Sequence, residues 1–332
     1  GGYDKTPSKL TETLGREGAI VHFEDLGEAI PKEFLSKENT LVIYTPAIPK
    51  AMKELVFLQE NDYSVFKRSE VLGMITRDSQ ALCVAGTHGK TTTSSLLAHL
   101  LNESKLKCSA FLGGISTNFN SNFIGSAESE LTVIEADEFD RSFLKLNPFA
   151  SIVTTTDADH LDIYNDDASF QQSFQDYANL IDANGYLIRQ ANVKLNHSNS
   201  ISYGMNCKAD YKGYNERFQN GEYLIDIDSP SFQWKNVVLG LPGTHNAENA
   251  LGCVALLIQI GMQEDEIRQG LASFLGVKRR FEYQIRTSDL VFIDDYAHHP
   301  TEIEALINAV KTLYPSRKIT GVFQPHLFSR TR

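Results

Sequence analysis

From Gly86 to Thr93 the chain reads Gly-Thr-His-Gly-Lys-Thr-Thr-Thr, a spacing of glycines, lysine and hydroxyls suited to holding phosphate. Gly86 and Gly89 permit backbone conformations closed to other residues, so successive N–H groups can converge on an anion at the positive end of a helix. In that cradle Gly86, Thr87, His88, Gly89, Lys90, Thr91 and Thr92 face a nucleotide, with the Lys90 ammonium on its outer phosphates and the Thr91 hydroxyl on Mg²⁺. The usual phosphate loop has four residues between its glycines, whereas here Thr87 and His88 alone separate them. The alternative is an ordinary glycine turn with an exposed lysine. Against it stand the flanks: Gln80–Val84 has the length and apolarity of a buried strand, and leucines 96, 97, 100 and 101 mark one helix face.

Two further apolar runs end in polar side chains. Glu130–Ile134 leads into Glu135-Ala136-Asp137-Glu138, and Ala150–Thr156 into Asp157-Ala158-Asp159-His160-Leu161-Asp162. Open parallel sheets bind ligands beyond the C-terminal ends of their strands, which is where both clusters fall. Asp157, Asp159 and Asp162 read equally well as turn residues.

Composition sets the outer limits. A chain of 332 residues exceeds one ordinary core, and 42% hydrophobic with 22% charged residues describes a globular protein. The formal net charge of −11 opposes non-specific contact with nucleic acid or an anionic membrane, so neither is expected as a partner. Phosphate chemistry must then use local cations: Lys90, Lys278-Arg279-Arg280 and Arg330. Cys83, Cys108, Cys207 and Cys253 are too scattered for a zinc site or disulfide framework, which suits a reducing cytoplasm.

Three α/β domains are expected: 1–78, 79–277 and 278–332. In the first, Leu41–Thr45 reads as a strand, Ala51–Gln59 as a helix, and Ser69 as the N-cap of a second helix through Ile75. No glycine fingerprint precedes its first acidic residue, so this domain is expected to lack its opening strand and loop. In the second, Gly113-Gly114-Ile115 with Asn118, Asn120 and Asn122 reads as a polar loop, and Phe170, Phe174, Tyr177 and Leu180 as the core side of a helix. Segments near Tyr211, 223–227 and 232–239 form an antiparallel patch, before helices beginning near Thr244 and at Glu264. The third has strands at Leu290–Ile293 and Lys318–Phe323 around a helix carrying Ile303, Leu306, Ile307 and Val310; this domain, too, looks cut short.

These motifs together resemble the Mur ligases, the ATP-dependent enzymes that add amino acids to the cell-wall precursor. Glu135–Phe143 and Asp157–Asp162 are similar to the branch that joins L-alanine to UDP-N-acetylmuramate, and the likeness runs from Gly2-Tyr3-Asp4 through Tyr44–Pro49 to Phe323–His326. The resemblance implies a Rossmann-like N-terminal domain for the UDP moiety, a central phosphate-loop ATPase domain and a Rossmann-like C-terminal domain that closes over the amino acid. It implies a cytoplasmic monomer or homodimer using ATP with Mg²⁺, or Mn²⁺, and passing through an acyl phosphate. Lys90, His160, Arg279, Arg280 and His298 would then be catalytic, and Thr91, Glu135 and His160 would hold metal. His245, Asn246, Asn249, Asp295 and Tyr296 would face the nucleotide, while Asn118 and Arg330 would face the acceptor and the alanine carboxylate.

Several of these positions keep a plainer reading: a strand-end cap for His160, a helix cap for Thr244, a basic linker for Lys278, a surface turn for the asparagines. Leu327 stands after Pro325-His326, where the family pattern carries arginine, which leaves Arg330 to meet the amino-acid carboxylate alone or with residues beyond the end. Other amide ligases with this ATPase core, namely the murein-peptide recycling ligase and folylpolyglutamate synthetase, are the rival reading. A nucleotide switch without ligase chemistry is a second.

Overall fold

The computed structural model describes residues 1–157, 167–298 and 300–324, and the chain divides into two units, Gly1–Ile75 and Thr76–Arg332. In the first, β1 (Gly2–Tyr3) and β2 (Val21–His22) pair in parallel across α1 (Lys9–Arg16). β3 (Leu41–Tyr44) and β4 (Ser64–Lys67) do the same across α2 (Lys53–Glu60). Ser8 and Thr11 cap α1 reciprocally, each side chain accepting from the other's backbone N–H. After β4 comes α3 (Arg68–Arg77), so Ser69 lies inside the helix and is not its cap; the Glu70 carboxylate accepts from Lys67 N at 2.8 Å.

The second unit is built on one ten-stranded sheet. Its elements begin with β5 (Gln80–Ala85), α4 (Lys90–Glu103), β6 (Ser109–Ser116), β7 (Ser121–Ile124) and β8 (Leu131–Glu135). A short 3₁₀ segment (Phe139–Lys145) precedes β9 (Ala150–Val153), followed by α5 (Asp167–Ala178), β10 (Tyr186–Gln190) and β11 (Ser200–Met205). The expected antiparallel patch is β12 (Tyr211–Gln219), β13 (Glu222–Asp228) and β14 (Gln233–Leu239), which extends the same sheet. Two helices close this part, α6 (Thr244–Gln259) and α7 (Glu264–Ser273).

Strand order is β14-β13-β12-β11-β10-β9-β5-β8-β6-β7, parallel from β12 to β6. β5 therefore lies between β8 and β9, where the chain's winding changes direction and a crevice opens beyond the strand ends. Alternation along β5 sends Leu82 and Val84 to one face, into a core shared with Leu97, Leu100 and Leu101 of α4 and Leu251, Val254 and Leu257 of α6. On the other face Phe143 stacks on Tyr177 at 4.8 Å and meets Phe174 edge-on at 5.3 Å. Phe170, Phe174 and Tyr177 are fully buried as expected, but Leu180 follows the end of α5 and is 40% exposed.

The last stretch is a hairpin of β15 (Glu282–Arg286) and β16 (Val291–Asp294), then α8 (Pro300–Leu313). β15 was not foreseen, and the strand expected at 318–323 does not form. Among the described residues no neighbour offers that segment a hydrogen-bonding ladder, and Val322 is 96% exposed.

Candidate functional site

Gly86 has φ +131 and Gly89 φ +81, so both occupy the left-handed region that the spacing requires. Space is as restrictive as conformation. A Cβ on Gly86 would lie 2.1 Å from Thr154 Oγ1, and one on Gly89 2.8 Å from Asn249 Oδ1. Threonines after β9 brace the loop: Thr155 Oγ1 accepts from His88 N at 3.1 Å and lies 2.6 Å from Thr87 Oγ1, and Thr154 Oγ1 donates to the His88 carbonyl.

Lys90 opens α4 and turns back over the loop, donating to the Gly86 carbonyl at 2.7 Å and to Glu138 Oε2 at 2.6 Å. The Glu138 side chain is fully buried and that of Lys90 only 13% exposed, so this is a desolvated ion pair. At the next residue, Thr91 Oγ1 donates to Glu135 Oε1 at 3.0 Å. The second Glu135 oxygen accepts from Gly113 N at 3.0 Å and Ser94 Oγ at 3.4 Å. Gly113 is thus part of β6 and not of a loop, and a Cβ there would come within 2.5 Å of either Glu135 oxygen. A hydroxyl and a carboxylate oxygen adjacent at the head of a helix form the hard donor set that suits Mg²⁺, so the residues present fit the ion. Among the described residues no group of three or more His, Cys, Asp or Glu forms a separate metal cluster.

The start of α6 approaches the same crevice. Asn249 lies against Gly89, while Asn246 is buried and donates to the Pro242 carbonyl at 2.7 Å. Thr244 caps nothing; its hydroxyl bonds the Glu216 carboxylate at 3.0 Å. His245 is exposed to solvent, yet the protein around its ring lowers its pKa by desolvation, against the upward pull of Asp295. Burial raises the Asp295 pKa above the ordinary carboxylate value, opposed by N–H groups of Phe281 and Ala297 and by Arg280 and His245.

Main-chain bonds stitch the connection after α7 to β6: Thr117 N donates to Gly276 O and Lys278 N to Ile115 O, both at 2.9 Å, and Val277 bridges Ser116. A Cβ on Gly114 would meet Val277 at 2.9 Å and Thr91 at 3.0 Å, so this peptide runs beside the Thr91–Glu135 pair. The chain then turns sharply, with Arg279 at φ +61 and Phe281 at φ +50. The Arg279 guanidinium stacks 5.2 Å over Tyr296, whose N–H donates to the Arg279 carbonyl at 2.6 Å. His298 follows, its Nδ1 3.1 Å from the Tyr296 carbonyl.

Comparison with known proteins decides the family. The Mur ligase middle domain matches residues 84–257, and the Mur ligase glutamate ligase domain matches 279–332. The chain belongs to the Mur ligase family. It is 51% identical over 331 residues to the UDP-N-acetylmuramate–L-alanine ligase of Flavobacterium psychrophilum and 47% identical over 337 residues to that of Phocaeicola vulgatus, covering 100% of this chain and 73% of each relative. Among solved structures it is similar to the UDP-N-acetylmuramate-alanine ligase of Thermotoga maritima, with TM-score 0.83 and 26% identity over 98% of this chain and 74% of that one. The fold is thus the three-domain α/β Mur ligase architecture.

In this Mur ligase the middle-domain match contributes the phosphate loop, Glu135, the Thr154–Thr155 brace and Asn249, and the glutamate-ligase match contributes Arg279, Arg280, Asp295, Tyr296 and His298. Asn118 is committed to backbone, donating to Ser273 O at 3.0 Å and accepting from Leu275 N at 2.8 Å. His160 and Arg330 lie outside the described residues, as do Asp159 and Asp162. Glu138, Thr154 and Thr155 were given no role from sequence, and Gly113 was read as part of a loop; the available signal was their position at or beside the C-terminal ends of parallel strands.

Proposed function

We propose that this Mur ligase joins L-alanine to UDP-N-acetylmuramate, cleaving ATP to ADP and phosphate. The acceptor's carboxylate oxygen attacks the γ-phosphorus as the bond to the ADP oxygen breaks. The alanine amine then attacks the acyl carbon, phosphate departs with the bonding electron pair, and the amine loses a proton. No protein nucleophile is needed, so the chain's task is to position groups and to neutralise moving charge.

The observation that carries this reading is the adjacency of the Thr91 hydroxyl and the Glu135 carboxylate, 3.0 Å apart at the head of the phosphate-loop helix. Mg²⁺ bound there would offset charge on the β- and γ-phosphates. Loop N–H groups hold the phosphates and the Lys90 ammonium, steadied by Glu138, faces the outer one. Arg279 and Arg280 are assigned to the transferring phosphoryl group, His245, Asn246, Asn249, Asp295 and Tyr296 to the nucleotide, and His298 to the amino-acid side. For His160 as a second metal ligand, Asn118 facing the acceptor and Arg330 on the alanine carboxylate, the resemblance is the support.

Identity near one half with alanine-adding ligases supports the choice of amino acid and acceptor. Four free cysteines and dependence on ATP support a cytoplasmic setting, and no helix among the described residues is long and apolar enough to cross a membrane. The test is phosphate release with a panel of acceptors and amino acids. Release that requires UDP-N-acetylmuramate and L-alanine together is expected; release with a folate or a free murein peptide in their place overturns the assignment.

A further inference from the structure

One carboxylate joins the phosphate loop to the segment that carries His298. Glu302, in the first turn of α8, places Oε1 3.4 Å from His88 Nδ1 and Oε2 3.4 Å from His298 Nδ1. Oε2 also accepts from His298 N at 3.1 Å. Helix capping explains only the second half of this arrangement. An acid in a first turn answers the unpaired N–H groups and the positive end of the helix, and the bond from His298 N does that. The His88 contact serves no helix. It spans the two stretches matched by separate family domains and ends between the two glycines of the cradle.

His88 transmits position to the loop because its backbone is held on both sides. Its N–H donates to Thr155 Oγ1 at 3.1 Å and its carbonyl accepts from Thr154 Oγ1, so displacing the ring displaces peptide groups that line the cradle. At the other end, the His298 ring lies 5.3 Å from that of Tyr296, on which Arg279 stacks.

We propose that Glu302 is a positioning residue for the ligase reaction: its two oxygens tie His88 of the phosphate loop to His298, so that nucleotide binding and placement of the 295–298 segment depend on each other. Such coupling is reciprocal, so loss of the tie weakens both ligands. The proposal rests on the ligase reading above.

The test uses the full-length enzyme with Glu302→Gln, His88→Ala and the double variant. Glutamine keeps an acceptor for His298 N, so α8 retains its cap and the melting temperature should barely move. Glu302→Gln is expected to raise KM for ATP and for the amino acid about tenfold each, with kcat changed much less, and to add little in the His88→Ala background. Effects that simply add in the double variant, unchanged KM values, or tighter ATP binding overturn the proposal. Calorimetric titration of an ATP analogue into wild type and Glu302→Gln separates this from the ligase reading. If wild type forms no amide, that reading fails, while about tenfold weaker analogue binding in the variant still supports the tie and equal binding rejects it.

Discussion

The ammonium of Lys90 lies 2.6 Å from a carboxylate oxygen of Glu138, a side chain with no exposure to water. Nothing in the sequence gives Lys90 a structural partner, so its removal would be expected to cost phosphate binding and leave the fold unharmed. Its burial and partner change that expectation. Lys90→Ala should abolish phosphoryl transfer and also destabilise the protein by about 3 kcal/mol, because it breaks a buried ion pair. Adding Glu138→Ala should restore part of that stability and none of the activity. Denaturant titration alongside phosphate release measures both; a Lys90→Ala variant as stable as wild type would contradict the pairing.

Gly113 offers a way to perturb the metal pair without touching it. A methyl group there would lie 2.5 Å from either oxygen of Glu135, so Gly113→Ala must push the carboxylate away from Thr91. The Mg²⁺ concentration for half-maximal activity should rise by about tenfold or more, as for other losses of ligand support. Equal Mg²⁺ requirements in variant and wild type would count against Glu135 as a ligand.

Stability should fall in mild acid partly through His99. Burial, the largest influence, holds this imidazole below its ordinary value of 6.5, against the upward pull of Glu103 and a backbone group at Gly270. Below pH 6.5 the unfolded chain therefore binds more protons than the folded one, so the His99 contribution is complete above that pH and declines as pH drops toward the lowered folded value. Urea unfolding between pH 7.5 and 5.5 should show a shallower pH slope in His99→Gln than in wild type. Equal slopes would mean that His99 titrates normally.

Cysteine reactivity should separate Cys207 from the rest. Burial pushes the Cys83 and Cys108 thiols up to about 12 and raises that of Cys253 as well; partial burial raises Cys207 too, but it alone of the four is not fully buried and so meets a reagent. A thiol reagent counted by mass spectrometry should modify one cysteine in the native protein and four in denaturant. Native modification of Cys83 would show that β5 opens locally.

Much of the second unit was legible because its signals are local. Ala81–Val84 is apolar throughout, as a strand covered on both faces must be, and the leucines of α4 recur at helical spacing. Glu135 announced itself by ending such a strand. β10 escaped notice because Tyr186–Gln190 mixes polar and apolar residues without regular alternation and pairs in parallel with β9, distant in sequence; β11, Ser-Ile-Ser-Tyr-Gly-Met, does alternate, and that signal was passed over. Composition misled at Gly113-Gly114, where glycines that usually mark turns serve a strand instead, clearing space for Glu135, Val277 and Thr91. Glu138 was visible as an acid but not as buried, since its depth depends on Lys90 of α4, three elements earlier in the chain. Glu302 reads in sequence as a helix-start carboxylate, and nothing nearby in the chain points to His88.

The peptide from Gly276 to Lys278 is fastened by main-chain bonds to the end of β6. Any swing of the residues that follow must then take its fulcrum at the left-handed turn through Arg279 and Phe281, leaving the Thr91–Glu135 pair as fixed ground. Arg279 and Arg280 stand at that fulcrum, where an angular change moves their backbones least and leaves reorientation of the guanidinium groups to the side chains themselves.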